Sequence, residues 1–360
     1  MAVQFTGHLN PNEIFGSIYN MIISQTVFAD PIAGGTYSSL VDNFRVDGTL
    51  YGDTKLYYST DALETHEWGN DAEAGNLLAL ARPADPKCQK ITIDQFRQIR
   101  LTVDNYLTKR AWGDEYAFSS FNSVMLGWLR NTKRIFDSTL VNAYVGTTKS
   151  EEGKQNVVVD VPAGNEEADR RLRAQTIATD LANLLVEISD ISRDYNDYGV
   201  LRSYNKGDLL IVWNSEVKNE ITKLDLPSLF HKDVFDNFGK EIVLPARYFG
   251  DVVEDDPVNG AADGSIRSLI EQTIGDNHYF PGDAIKVGDA ADPGTAYRVN
   301  KNIAFKICHK DSVPFMSAFE TGTSFFNPRS LTETHFLTFG YSDPEYLQEY
   351  PWITVSLNKQ

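Results

Sequence analysis

The residues whose types could support catalysis lie close together late in the chain, at Cys308, His309 and Asp311. A thiol beside an imidazole and a carboxylate suits nucleophilic catalysis, because the imidazole can take the proton of the thiol. These residues fall within an alternating pattern typical of a strand, however, and adjacent residues of a strand point to opposite faces. The spacing argues against a Cys-His pair, and we predict no catalytic residue.

Carboxylates that could hold a calcium ion occur in the acidic loop 254–263, at Glu254, Asp255, Asp256 and Asp263. Calcium needs about six to eight oxygen ligands, and Pro257 and the alanines interrupt the ligand spacing, so a solvated loop is favoured. No metal-ligand spacing is found among the six histidines, which are His8, His66, His231, His278, His309 and His335. We therefore predict no bound metal.

Nucleotide-binding motifs are incomplete or absent. The segment VGTTKS at 145–150 has Gly146, Lys149 and Ser150 but lacks the other glycines of a phosphate-binding loop. Neither GxGxxG after a strand nor GxSxG occurs. Three tyrosines could stack on bases, and they are Tyr195, Tyr198 and Tyr204. In a chain this acidic, such tyrosines are more often core or interface residues. No cofactor is predicted.

The charge of the chain limits its partners. At 360 residues, 42% hydrophobic, the chain is long enough for a sizeable core, and its net charge of −17 disfavours nonspecific binding to nucleic acid or anionic membranes. Residues 1–86 carry three bases against eleven acids, whereas residues 87–134 carry nine bases against four acids. This basic block can face nucleic acid, but an acidic surface of the same protein or of a neighbour is favoured.

Targeting and redox signals indicate a soluble protein in a reducing compartment. No Lys or Arg precedes Arg45, so a signal peptide is not predicted, and no run of about eighteen apolar residues predicts a membrane span. Cys88 and Cys308 lie far apart and show no CxxC spacing.

One long helix dominates the predicted elements. Apolar residues recur every three to four positions from Trp112 to Gly146, without proline. About thirty helical residues make a rod of about 45 Å, which would span a domain. A shorter amphipathic helix over residues 12–28 is predicted in an N-terminal arm, and so apolar an arm needs a surface to lie on.

Two alternating segments precede the long helix, at 48–63 and 90–107, and an acidic tract lies between them. They predict a long hairpin with an elaborated tip. Because it comes before the helix, we expect it to project as an arm rather than to join a sheet of a layered domain.

A mixed α/β region follows the long helix. The predicted elements are a strand at 157–161, a second long helix with apolar residues from Ile177 to Tyr195, a buried strand Leu209–Trp213 leading through a cap at Asn214 or Ser215 into a helix, a strand segment at 241–253 and a helix near 266–274. From residue 284 onward, mixed strands are predicted in the alternating segments AYRVNKNIAFKICH, THFLTFGYS and WITVSL.

The order of these elements resembles a known family. An extended loop entering a spine helix is resembled by the segment TKLYYSTDAL together with KITIDQFRQIRLTVDNYLTKRAWGD, and the end of that helix is resembled by FDSTLVNAYVG. The strand–helix pair of an axial domain is resembled by DLLIVWNSEVKNEI. A C-terminal region is resembled by FETGTSFFNPRSLTETHFLTFGYS. Together they resemble the Hong Kong 97 fold of tailed-phage major capsid proteins, and more narrowly those of small phi-29-like podoviruses.

The resemblance implies an α+β fold with an N-terminal arm, an extended β-hairpin loop, a long spine helix, and peripheral and axial domains. The implied boundaries are an arm at 1–45, a hairpin loop at 46–111, the spine helix and peripheral domain at 112–170, an axial domain at 171–283 and return strands at 284–360. The implied function is structural, not enzymatic: self-assembly as pentamers and hexamers into an icosahedral shell around double-stranded DNA. An encapsulin-type compartment shell and, from another class, a soluble α+β enzyme remain alternatives.

The resemblance also implies partners and a location. The chain would contact itself, a portal and possibly scaffolding or decoration proteins, but no membrane, in a virion assembled in the host cytoplasm. The acidic tract Glu64–Glu73 and the basic run Arg97–Arg110 would meet opposite charges across subunit boundaries. Weak phosphate contacts would come from Arg130, Lys133, Arg134, Arg170, Arg171 and Arg173 or, alternatively, these residues would pair with acids of adjacent helices.

Overall fold

The computed structural model describes residues 37–46, 52–65, 82–104, 115–223, 240–253, 296–300 and 302–360. The helices within these ranges are α1 (Tyr37–Phe44), α2 (Glu115–Thr147), α3 (Glu167–Ser189) and α4 (Ser215–Lys223). The helices predicted over 12–28 and 266–274, the acidic loop 254–263, and most of the tract Glu64–Glu73 lie outside the described residues.

The strands are β1 (Arg45–Val46), β2 (Thr54–Ser59), β3 (Lys87–Thr92), β4 (Gln95–Asp104), β5 (Asn156–Val161), β6 (Leu209–Asn214), β7 (Lys240–Leu244), β8 (Gly250–Val253), β9 (Ala296–Val299), β10 (Ile303–His309), β11 (Phe315–Asn327), β12 (Thr332–Tyr341) and β13 (Trp352–Lys359). They form a five-stranded sheet in the order β5-β13-β10-β6-β7, a four-stranded sheet in the order β1-β11-β12-β4, and the pairs β2-β3 and β8-β9.

The five-stranded sheet is covered on both faces. All six residues of β6 are buried, as the unbroken apolar run LLIVW predicts for a strand with no solvent-facing side. One face joins α3 and α4 in a core that includes Leu181, Trp213 and Phe305. The other face joins the end of α2 in a second core that includes Tyr144, Cys308 and Trp352. The strand prediction for 209–213 is confirmed.

The spine-type helix α2 is present and ends at Thr147, close to the predicted end. Every residue from Phe136 to Thr147 is buried, so the second half of the helix is enclosed on all sides rather than on one face. Gly146 allows the closest approach, because a Cβ atom there would lie 1.8 Å from the Tyr248 carbonyl oxygen. The helix therefore runs through the interior where the two larger sheets meet.

Helix α3 is shorter than its apolar pattern predicts. Ile177, Leu181 and Ile188 are buried as expected, but the helix ends at Ser189 and Ile191 is 64% exposed. Asp190 adopts an extended conformation, and its side chain accepts a hydrogen bond from the Ile191 amide at 2.8 Å. Such a local side-chain hydrogen bond competes with the hydrogen bonds of the helix, which explains why the helix ends before the apolar pattern does.

The predicted hairpin is real but stops sooner than expected. β2 pairs with β3 antiparallel, and the backbone N–H of Gly52, at φ +83°, donates to the Ile93 carbonyl at 3.0 Å. Beyond Ile93 the chain changes partner, and β4 pairs with β12 along its whole length. The expectation that segment 90–107 stays out of a layered sheet is therefore wrong, because its second half supplies a strand of the four-stranded sheet.

Two further differences concern strands. β11, with the sequence FMSAFETGTSFFN, was not predicted as a strand, because its centre lacks an apolar alternation. The segment 241–253 forms two strands of different sheets, β7 and β8, separated by a turn at Ala246–Tyr248. The strands predicted at 157–161 and in the C-terminal part are confirmed as β5, β9, β10, β12 and β13.

Candidate assembly surfaces

The β2-β3 hairpin has an inward and an outward face. Tyr57 and Ile91 point inward, and Ile91 is 2% exposed in a small core of its own. On the other face Leu56 is 51% and Tyr58 is 62% exposed. Lys90 lies opposite Leu56 on this face. Apolar groups at such exposure are candidates for contact with another molecule.

The end of β2 is clamped to the segment 193–202 that follows α3. The Asp61 carboxylate accepts from the Leu201 amide at 3.0 Å and from the Arg193 guanidinium at 2.5 Å. Arg202 donates to the Thr60 carbonyl at 2.7 Å. The Leu201 amide and Arg193 together lower the pKa of Asp61 to about 2. These contacts fix the loop-side end of the hairpin, where β2 leads into the connection to β3, while leaving its outward face open.

The far end of the β11-β12 hairpin is the second open surface. Residues 321–331 are all exposed, and among them Phe325 is 63% and Phe326 is 48% exposed. Adjacent strand residues point to opposite faces, so this part of the sheet presents an aromatic ring on each side. Nearer the spine helix, by contrast, Phe339 packs on Phe136 with ring centroids 5.8 Å apart.

A buried carboxylate joins the spine helix to the four-stranded sheet. Asp137 is 1% exposed and accepts from the Ser317 hydroxyl at 3.2 Å. Its carboxylate also lies 3.6 Å from Arg45 and 3.7 Å from Lys133. These partners come from β1, α2 and β11, so the Asp137 side chain connects three elements. Such partners are expected, because burying a charge without a partner is costly.

The C-terminal end of the spine helix is joined to the five-stranded sheet. The carbonyl of Thr148 accepts from the Trp352 indole at 2.9 Å and from the Lys306 ammonium. Lys306 is only 2% exposed. A cation is favourable at this end of a helix, because the backbone carbonyls there carry partial negative charge. The two larger sheets are thus connected through α2.

A groove opens between α3 and the five-stranded sheet, with a volume of about 400 Å³. Its lining is apolar at the strands and acidic along the helix, comprising Val157, Val159, Leu184, Phe305, Val355, Asp180, Glu187, Asp194, Tyr195, Asn183 and Lys154. Lys154 pairs with Asp194 at 2.5 Å, and the Tyr195 hydroxyl donates to Glu187. Burial raises the pKa of the Asp180 carboxyl.

Comparison with known proteins explains this architecture. The sequence matches the family described as Phi29-like phage major capsid protein over residues 6–341. The chain belongs to this capsid protein family. Among curated sequences, none matches the chain.

Solved phage structures share the fold of this capsid protein. A chain of "Capsid structure of Staphylococcus phage Andhra" is similar with a TM-score of 0.54 at 10% identity, covering 88% of this chain and 83% of that chain. A chain of "Structure of head fiber and inner core protein gp22 of native bacteriophage P68" has a TM-score of 0.58 at 12% identity, covering 88% of this chain and 83% of that chain. The predicted Hong Kong 97-like α+β fold is confirmed.

Family membership also establishes the function of the protein at its coarser level. It is a shell-forming structural subunit of a phage capsid. The major capsid prediction is confirmed, and the encapsulin alternative is not favoured.

The capsid protein places its basic candidates for DNA contact in different environments. Lys133 is 7% and Arg173 is 5% exposed, so neither is a free surface charge. Arg173 donates to the carbonyls of Pro162 and Gly164 and pairs with Glu220 of α4. Their assignment to DNA is wrong, and the alternative pairing with an adjacent helix holds for Arg173. Arg171 pairs with Glu167 of its own helix, and the exposed candidates are Arg130, Arg134, Arg170 and Arg171.

The basic run Arg97–Arg110 is described only as far as residue 104, and its two arginines there differ. The Arg97 guanidinium lies 4.5 Å from the centroid of the Phe136 ring in the same subunit, because Arg97 points toward the spine helix. Arg100 is exposed on the strand β4. Even-numbered residues of β4 thus face away from the helix. Of these two arginines, Arg100 is therefore the better candidate for contact with a neighbouring subunit.

Cys308 and His309 lie on opposite faces of β10, as the strand period predicts, and Asp311 follows the strand with its carboxylate 3.6 Å from His309. Cys308 is buried in the core beside the spine helix, and burial raises the pKa of its thiol to about 12. His309 stacks on Tyr350 on the other side, with ring centroids 4.5 Å apart. Burial lowers the pKa of His309. The thiol and the imidazole therefore do not act together.

Within the described ranges, no three metal-ligating side chains lie together and no helix is long and apolar enough to cross a membrane. Tyr204 is a core residue whose hydroxyl donates to the Glu349 carbonyl.

Sequence reasoning missed Asp61, Arg193 and Arg202, because their partners are distant in the chain. It missed Asp180 because the groove that this residue lines is formed by segments distant in the chain. It also missed Asp137, although a signal existed: Lys133 lies four residues before it on the same helical face.

Proposed function

We propose that this capsid protein assembles as pentamers and hexamers into a closed icosahedral shell around double-stranded DNA. The observation that carries the proposal is the exposure of large apolar side chains on two hairpins, at Leu56 and Tyr58 on one and at Phe325 and Phe326 on the other. A subunit with covered cores but open hairpins is suited to bury those hairpins on copies of itself.

Light scattering and electron microscopy of the purified protein test this proposal. We expect closed shells or five- and six-membered rings. A monomer that stays monomeric across protein concentrations and salt conditions would contradict it, and so would open filaments without closed particles.

Charge is proposed to set the register of the contacts between subunits. Arg100 is exposed and belongs to the basic run that we expect to meet an acidic tract of a neighbour. Surface ion pairs contribute only about 0–1 kcal/mol each, so such contacts would guide alignment more than stability. Arg100→Glu should lower the yield of normal particles while the subunit stays folded by circular dichroism, and Arg100→Gln should lower it less.

Genome contact is proposed to be weak and independent of sequence. The exposed residues Arg130, Arg134 and Arg170 can reach phosphates if their side of the subunit lines the interior, and the net charge of −17 opposes tight binding. Filter binding to duplex DNA should show retention that falls steeply with salt. Tight, sequence-selective retention would contradict the proposal.

The five-part division stated above, with an arm, a hairpin loop, a spine helix with a peripheral domain, an axial domain and return strands, is also proposed, except that β4 belongs to the four-stranded sheet and not to the hairpin loop. It is supported by the two larger sheets, which are separate and are joined through α2. We further propose a purely structural role, a portal and possibly scaffolding or decoration proteins as partners, and assembly in the host cytoplasm into the virion. Co-purification of particles with a portal ring from infected cells is the corresponding test.

A further inference from the structure

The groove between α3 and the five-stranded sheet has one carboxylate without a partner. Lys154 is engaged by Asp194, and Glu187 accepts from Tyr195. Among the described residues, no side chain forms a hydrogen bond or an ion pair with the carboxylate of Asp180, although this residue lines the groove. Three carboxylates against one ammonium leave the rim negative. A cationic group beside apolar atoms is what this groove would accept.

The outward face of the β2-β3 hairpin has the complementary chemistry. It carries Leu56 and Tyr58, with Lys90 opposite Leu56 and Cys88 opposite Tyr58. Neither strand contains an acidic residue. The face therefore combines two apolar side chains with one ammonium group, whereas the groove combines an apolar floor with an acidic rim.

The hairpin does not use the groove of its own subunit. Its loop-side end is held against segment 193–202 through Asp61 and Arg202, and with that end held there Leu56 is still 51% and Tyr58 is 62% exposed. The groove and the outward face are thus open in the same molecule, which is the arrangement expected of a contact that repeats from copy to copy around a ring.

We propose that the outward hairpin face of one copy docks into the α3 groove of a neighbouring copy, with Lys90 beside Asp180 and with Leu56 and Tyr58 against the apolar floor. This inference rests on the proposed assembly and names the acidic surface that part of the basic block faces.

Cysteine cross-linking in assembled particles tests the contact directly, because Cys88 is exposed on the docking face and Cys308 is buried. Asn183→Cys places a thiol on the exposed rim of the groove. A disulfide forms only when the two Cα atoms come within about 7 Å. After oxidation with diamide, we expect a ladder of linked chains on a non-reducing gel, abolished by adding Cys88→Ser.

Glu152→Cys is the matched control, since Glu152 is exposed but does not line the groove. Particles that form normally but give no ladder with Asn183→Cys, or an equal ladder with Glu152→Cys, would overturn the docking inference alone. If the unmodified protein forms no particles at all, the proposed function fails and the inference fails with it.

A charge exchange provides a second, independent measurement. Asp180→Lys or Lys90→Asp alone should lower the yield of particles by about tenfold, and the double variant should recover most of it, because the attraction is restored with reversed signs. Glu152→Lys makes the same change of charge outside the groove and should leave the yield unchanged. A double variant no better than the worse single variant would contradict the pairing.

Discussion

The five-stranded sheet and the projecting hairpins differ in what covers them. The sheet has α3 and α4 on one face and the end of α2 on the other, and all seven residues of its strand β10 are buried. The far end of the β11-β12 hairpin has every residue from 321 to 331 exposed. The first region is stabilised by contacts within one chain, whereas the second has exposed apolar side chains, which we propose that other copies of the chain cover.

This difference separates two kinds of substitution. Changes in the covered region should act on the subunit, and assembly should fail only because the subunit unfolds. Changes on the open hairpins should leave the subunit intact and act on the particle.

Trp213→Ala should have the largest effect. Trp213 is 1% exposed, packs on Phe305 with ring centroids 4.7 Å apart, and donates to Glu241 at 3.2 Å. Truncating a buried tryptophan costs about 3–5 kcal/mol, because the cavity is not refilled. Chemical denaturation of the subunit should show this loss. An unchanged midpoint would mean that the sheet is not the stable centre of the fold.

Asp137→Asn should weaken the connection between the spine helix and the four-stranded sheet. Lys133 is 7% exposed and would lose its buried anionic partner at 3.7 Å. Breaking a buried pair costs up to about 3–5 kcal/mol, and the amide keeps part of the hydrogen bonding, so we expect about 2–3 kcal/mol.

The denaturation midpoint measures this change. The double variant Lys133→Met with Asp137→Leu should recover part of the stability, because it removes both buried charges. If that double variant is less stable than Asp137→Asn, the pair contributes in some other way than by mutual compensation.

Leu56→Ser combined with Tyr58→Ser should leave the subunit within about 0.5 kcal/mol of its original stability, since both side chains are exposed. The yield of closed particles should nevertheless fall, because the apolar contact between copies is lost. Denaturation and sedimentation measure the two effects separately. Val186→Ser is a control, as an exposed apolar change on α3 that does not line the groove. Normal particles from the double variant would refute the distinction.

Acid should first loosen the loop-side end of the β2-β3 hairpin. The pKa of Asp61 is lowered to about 2 by the Leu201 amide and Arg193. A carboxyl whose pKa is lower in the folded than in the unfolded protein stabilises the fold at pH values above its unfolded pKa of about 4. This contribution is lost as the pH falls from about 4 toward 2. Protection of the Leu201 amide, which is its exchange rate relative to the intrinsic rate at the same pH, should therefore fall over that range, and Asp61→Asn should remove this pH-dependent loss. An equal loss of protection in both proteins would contradict this cause.

Local patterns in the sequence determined much of the fold. The periodicity from Trp112 to Gly146 indicated the spine helix, and the run Leu209–Trp213 indicated a buried central strand, because each of these depends on the spacing of apolar residues. The order of the elements indicated the capsid family. The Asn214 side chain caps α4 by accepting from the Glu216 amide at 3.1 Å, as one of the two predicted caps.

Only the tertiary structure decided which strands pair and which charges are buried. β4 does not extend the β2-β3 hairpin but pairs with β12, which lies more than two hundred residues away in the chain. No local pattern in the sequence encodes this pairing. Arg130 and Lys133 look alike in the sequence, yet Lys133 is buried beside Asp137 and Arg130 is exposed. The reason is physical: apolar spacing is a property of one segment, whereas pairing and the environment of a charge depend on what another segment brings beside it.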